Sequence, residues 1–140
     1  MSPKVKKKTK KNLKSSKVFH LIWVFNPILD LPSFYTKRMF GGLAAYVHDK
    51  LVFVLTEKPG DRQFKNKTFD YDIWDGVMLP TDKEHHSSII KSYPELIPHP
   101  VLGKWLYLQA NLPNFEEIAT EIGEQIAKNH PHFGVYPKIK

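Results

Sequence analysis

The sequence predicts an α+β fold: a two-layer domain with an antiparallel sheet of about five strands and three helices, in the order α-β-β-β-β-α-β-α. Three observations predict it. The chain has 140 residues, 41% hydrophobic and 13% aromatic, which is enough for one domain with a sizeable core. Its first half alternates short apolar runs of strand length with turn residues. Two later segments repeat apolar residues at three- and four-residue spacings, the pattern of a helix with one buried face. Short connections favour antiparallel pairing, and the amphipathic helices must cover a sheet face.

Taken in order, Ser16 to Leu29 places Val18, Leu21, Ile22, Phe25 and Leu29 on one helical face, with Pro27 ending or kinking the helix near Asn26. A buried strand over 18–25 competes, because the run is rich in β-branched and aromatic residues; helix is preferred. Thr36 to Phe40 reads as a short strand closed by Gly41-Gly42, a pair that permits positive φ. Leu43–Val47 and Leu51–Thr56 form a hairpin about His48-Asp49-Lys50. Residues 57–72 are a polar loop around Pro59-Gly60, long for a compact domain. Trp74 to Leu79 is the next strand, stopped by Pro80. Thr81-Asp82-Lys83-Glu84 fits a capping box for a helix to about Ser92, with His86, Ile89, Ile90 and Tyr93 as its inner stripe. A proline-rich connection over 96–102 leads to a strand from Lys104 to Ala110, with Trp105, Tyr107 and Gln109 opposite Leu106, Leu108 and Ala110. Asn114, with Glu117 three places on, caps a final helix whose apolar face is Phe115, Ile118, Ala119, Ile122, Ile126 and Ala127; His130-Pro131 ends it.

Charge divides the chain unevenly. Residues 1–17 hold eight lysines (Lys4, Lys6, Lys7, Lys8, Lys10, Lys11, Lys14, Lys17) and no acid. Setting them aside leaves 13 basic against 14 acidic residues in 18–140, so the body is about neutral. The expected organisation is a disordered lysine-rich arm over 1–17, a single domain over 18–130 and a C-terminal tail over 131–140. Such an arm suits non-specific binding of nucleic acid or another polyanion, or serves simply as a solvated tail. The apolar run 18–25 is too short to cross a bilayer and lacks a small-residue cleavage pattern, so it reads as core rather than a signal. No cysteine is present, which removes disulfide frameworks, thiolate zinc sites and cysteine nucleophiles and suits a cytoplasmic setting.

Lys37-Arg38-Met39-Phe40-Gly41-Gly42-Leu43, followed by a hairpin and a strand–helix–strand–helix order, resembles the TfoX N-terminal domain family, with Arg38-Met39-Phe40-Gly41-Gly42 as the most specific motif. The resemblance spans roughly 18–129 and implies a two-layer α+β domain of about this length, here expected to stand alone. The family takes its name from regulators of natural competence, so a regulatory role is implied, and no catalytic residues come with it.

The remaining residues offer weak chemistry. Glu84, His85, His86 and His99 form a candidate polar cluster, yet adjacent histidines on a helix diverge by about 100° and no His-x-x-x-His pair exists. Ser87-Ser88 lack a nucleophile elbow, Gly41-Gly42 lack the rest of a phosphate loop, and Asp70, Asp72 and Asp75 are too few for a calcium loop. The loop with Arg62, Phe64, Lys65, Lys67, Phe69 and Tyr71 mixes basic and aromatic residues as single-strand binders do, but its four bases and four acids cancel. Trp74 and Trp105 belong to neighbouring strands, on a sheet face left uncovered by helices. The expectation is a non-catalytic regulatory or protein-interaction domain, without cofactor, metal or membrane partner, with self-association as a further candidate. The alternatives are a nucleic-acid-associated protein using the arm, and a ligand or metal binder using His85, His86 and His99.

Overall fold

Leu51 to Leu55 is apolar at every position, and the strand it forms decides the architecture. The computed structural model describes residues 19–137, so the arm expected over 1–17 lies outside the described residues. Strands β1 (Tyr35–Met39), β2 (Gly42–Val47), β3 (Lys50–Glu57), β6 (Asp75–Leu79), β7 (Ile97–Pro98) and β8 (Leu106–Gln109) form one antiparallel sheet, ordered β1-β2-β3-β6-β8-β7. Two further strands, β4 (Gln63–Phe64) and β5 (Lys67–Thr68), pair separately and turn the 57–72 loop into a hairpin finger. The α+β class holds, with six strands in the main sheet. β6 and β8 pair directly, Val77 facing Leu108 and Met78 facing Tyr107.

Every residue of β3 except Glu57 is buried. Because successive side chains point to opposite faces, a strand apolar throughout requires cover on both. The first face carries Ala45, Phe53, Leu55, Val77, Leu79, Leu106 and Leu108 under helices. Helix α2 (Phe115–Ala127) supplies most of that cover through Phe115, Ile118, Ala119, Ile122 and Ile126, as the spacing predicted. The shorter α1 (His86–Ser92) adds Ile89. The second face holds Ala44, Tyr46, Val54, Met78 and Tyr107, packed under Tyr71, Trp74, Leu102, Trp105 and Val135. Helices do leave that face open, but loops close it.

Several boundaries differ from expectation for identifiable reasons. The first helix is a 3-10 segment, His20–Phe25, followed by tight turns to Phe34 in which Asn26, Ile28, Leu31 and Phe34 each donate to the carbonyl three residues back. Glu57 fixes its start: the carboxylate accepts from the His20 amide at 3.1 Å and the Leu21 amide at 2.6 Å. Gly123 lets this segment approach α2, since a Cβ there would lie 2.8 Å from the Pro27 ring. The β1–β2 turn is Phe40-Gly41, both at positive φ, and Gly42 is already in β2. A Cβ on Gly42 would fall 1.9 Å from the Leu55 carbonyl oxygen, so that glycine serves strand approach instead of the turn. His48-Asp49 likewise make the next turn at positive φ, leaving Lys50 as the first residue of β3.

The capping box at Thr81 does not form. The Thr81 hydroxyl donates to the His132 carbonyl, and α1 is entered through a 3-10 turn at Lys83–His85. Asn114 does precede α2, but its amide donates to Glu95 at 2.7 Å instead of capping the helix. Beyond His130 the chain does not leave the domain as a tail: Phe133 is in the first core, and Val135 exchanges backbone hydrogen bonds with Leu51 at 2.8 and 3.1 Å.

Ile122 is wholly buried where α2 meets the sheet. Ile122→Asp is therefore expected to lose at least about 3 kcal/mol from packing alone, before the unpaired charge is counted. Chemical denaturation of both proteins checks this, and an unchanged midpoint would place Ile122 outside the core.

Candidate functional site

Two loop segments reach the second face of the sheet, and aromatic rings mark where they land. The 69–75 segment brings Phe69, Tyr71 and Trp74; the 99–105 segment brings His99, Leu102 and Trp105. Ring centroids lie 5.7 Å apart for Phe69 and Tyr71, 6.5 Å for Tyr71 and Tyr107, and 5.0 Å for Tyr107 and His99. His99 to Trp74 is 4.5 Å. Phe40, on the β1–β2 turn, closes the row at 6.3 Å from Trp74 and 6.2 Å from Trp105. Phe40 remains 46% exposed, while both tryptophans are half-buried.

His99 and Tyr107 pin these loops by polar contacts. His99 is 1% exposed; its Nε2 donates to the Ile73 carbonyl at 2.7 Å, and its Nδ1 accepts the Val101 and Leu102 amides at 3.1 and 3.2 Å. Those partners fix the neutral tautomer with the proton on Nε2. Burial holds its pKa below the usual imidazole value, partly offset by the Ile73 hydrogen bond. The Tyr107 hydroxyl donates to the Asp72 carbonyl at 2.6 Å and accepts the Asp75 amide at 2.9 Å, and burial pushes its pKa far up.

The finger between β3 and β6 is held at its root by Lys58 N to Trp74 O and Ile73 N to Asp61 O. Arg62 donates to Asp72 at 2.8 Å, and that hydrogen bond holds the carboxyl below the usual carboxylate range. At the tip the Lys65 and Lys67 ammonium groups lie 5.3 and 5.6 Å from the Phe64 and Phe69 ring centroids. The finger thus pairs Arg62 with Asp72 near its root and carries two lysines over aromatic rings at its tip.

The expected cluster of Glu84, His85, His86 and His99 is not brought together. His86 Nε2 meets the Lys104 carbonyl at 2.8 Å, and both nitrogens of His99 are occupied. His85, 3.8 Å from Glu84, stacks at 4.5 Å on His132, which lies 4.9 Å from His130. Beside them Lys50 is 6% exposed and donates to the Phe133 carbonyl at 3.3 Å. Desolvation lowers the pKa of His130, helped by His132, Lys50 and His85, and burial lowers that of Lys50. Among the described residues, no group of three His, Asp or Glu is placed to hold a metal ion. Arg38, Met39, Phe40, Gly41 and Gly42 share one hairpin end, whereas the eight arm lysines lie outside the described residues. Tyr71, Phe69 and Tyr107 join the aromatic row; Tyr107 had an alternating-strand signal, the other two only their aromaticity.

No helix among the described residues is long and apolar enough to cross a membrane. No family model, curated protein or solved structure matches the chain.

His99 gives a pH prediction. Its folded pKa is depressed, so above about pH 6.5 it is neutral whether folded or not and contributes no pH dependence. As pH falls below that, the unfolded chain takes up a proton that the folded chain refuses, and stability declines towards the depressed folded value; His130 acts in the same direction. Denaturation midpoints at neutral and mildly acidic pH should show this loss. In His99→Asn the slope should be shallower and the neutral-pH stability lower.

Proposed function

We propose that this chain is a non-catalytic interaction domain that holds a protein partner against the aromatic second face of its sheet, around Phe40, Trp74 and Trp105. The observation that carries this is Phe40. Its φ of 54° puts a bulky residue in the left-handed region, which costs on the order of 1 kcal/mol or more, and the residue stays 46% exposed. Both features oppose stability, and a left-handed aromatic outlier on a surface is a mark of function. The surroundings have the composition of a binding hot spot: tryptophan, tyrosine and phenylalanine, with Met39 packed against the same cluster. The equal numbers of bases and acids in residues 57–72 favour a protein over a polyanion there. The resemblance of Arg38-Met39-Phe40-Gly41-Gly42 to the TfoX N-terminal domain family, a regulatory role and a cytoplasmic setting belong to the same proposal.

A second reading rests on the arm. Eight lysines against a charge-balanced body locate any attraction for nucleic acid in residues 1–17. Deleting them should abolish most low-salt affinity for a labelled duplex, irrespective of its sequence. Equal, salt-resistant binding by the truncated protein would move the interface into the domain.

Phe40→Asn tests the main proposal. Asparagine tolerates the left-handed region, so the melting temperature should hold or rise, while capture of partner protein from native cells by the immobilised chain should be lost. Undiminished capture by a folded Phe40→Asn protein would refute the assignment of this face.

A further inference from the structure

We infer that the outer edge of β1 takes an extended acidic segment of the partner protein, which adds a strand to the sheet. This rests on the protein-interaction reading and names the chemistry of the partner.

The two edges of the sheet are unlike. β7 is two residues long and contains Pro98, which has no amide to donate, so that edge is blunted. β1 runs for five residues, and among the described residues only β2 pairs with it. All of its residues but Met39 are exposed. Its outward backbone amides and carbonyls therefore form an open template for another strand.

Side chains on both faces of that edge supply contacts and select charge. Tyr35 is 49% exposed and stacks on Tyr46 at 4.6 Å, and the Lys37 ammonium lies 5.7 Å from the same Tyr46 ring. Tyr35, Lys37 and Met39 thus border the second face, and Phe40 continues it. Arg38 points to the first face, its guanidinium carbon 6.0 Å from the Phe19 ring. Neither Lys37 nor Arg38 has an ion pair among the described residues. No acidic residue occurs in the sequence between Asp30 and Asp49. Antiparallel pairing of two β1 strands sets Lys37 against Lys37 in one register and Arg38 against Arg38 in the next, so this edge disfavours a second copy of itself. It attracts a strand that sets Asp or Glu beside Arg38 on the first face, with apolar residues on the second face to meet Tyr35, Phe40 and the aliphatic stem of Lys37.

The probe is an acetylated peptide alternating Glu and Val, of the length of β1, with a Lys–Val peptide as control. Nuclear magnetic resonance of the full, isotope-labelled chain reads both. With the Glu–Val peptide the amides of Tyr35 to Met39 should shift and gain protection from exchange, less so at high salt; the Lys–Val peptide should leave them unmoved. Lys37→Glu combined with Arg38→Glu should reverse that preference. Shifts confined to the finger or to residues 1–17, or the same β1 shifts produced by a single-stranded oligothymidylate, would overturn strand addition in favour of plain charge attraction. If β1 stays silent while Phe40→Asn still abolishes partner capture, the edge inference fails and the interaction reading survives. Docking on β1 with capture intact in Phe40→Asn would do the opposite.

Discussion

β3 is buried on both faces, and most of this structure follows from that constraint. A central strand with no polar face cannot sit in an open two-layer sheet, so something must close the side the helices do not reach. Here that cover is irregular chain, which brings backbone amides and carbonyls into places without water. Each one left unpaired costs about 1 to 3 kcal/mol. His99 and Tyr107 remove that cost between them: His99 serves Ile73, Val101 and Leu102, and Tyr107 serves Asp72 and Asp75. One polar side chain on the sheet, Tyr107, and one on a loop, His99, thus convert loops into a layer, and the aromatic row is a consequence of where those loops are tied.

The sheet was legible in the sequence because its strands are short apolar runs with clear punctuation, and α2 because its buried positions recur at helical spacing. What escaped notice shares one property: the partner lies far away in sequence. Glu57 determines where the 3-10 segment starts from more than thirty residues downstream. Thr81 is drawn from a local cap to the His132 carbonyl. Gly42 resembles a turn residue until the Leu55 carbonyl is set beside it. Phe133-Gly134-Val135 carried a signal in their own composition, two apolar residues around a glycine after His-Pro-His, which is more than a solvated tail needs. Of the candidate site, Trp74 and Trp105 were expected together on the helix-free face, but the arrival of Phe40 between them was not. His99 looked like a ligand because sequence does not reveal that both nitrogens are already occupied.

The histidines illustrate how different environments separate residues of one type. His99 is isolated, buried and saturated with backbone partners, so it acts as a neutral polar pin. His85, His130 and His132 stack beside the buried ammonium of Lys50, next to the strap that joins Val135 to Leu51. There a proton on His130 meets other basic groups, and the lowered pKa reflects that neighbourhood as well as desolvation. His99 and His130 are each held towards the neutral form, so acid acts on the two closures of the domain, the second-face loops and the C-terminal strap, in the same direction.

The turns carry the remaining tension. Phe40, His48 and Asp49 all occupy the left-handed region, where asparagine or glycine would be easier. At His48 the structure supplies compensation: its amide donates to the Ser33 hydroxyl at 2.9 Å and its Nε2 contacts the Ala127 carbonyl at 3.2 Å. Asp49 has the short polar side chain that tolerates this region. Phe40 has neither advantage, and only its contacts with Trp74 and Trp105 offset the strain while nearly half of its surface stays in water. Burying that ring under a partner recovers apolar surface that folding left exposed, at about 25 cal/mol per Å². Strain is then already met in the free protein, so association gains the contact without reordering the turn, which is the energetic advantage of a preorganised anchor.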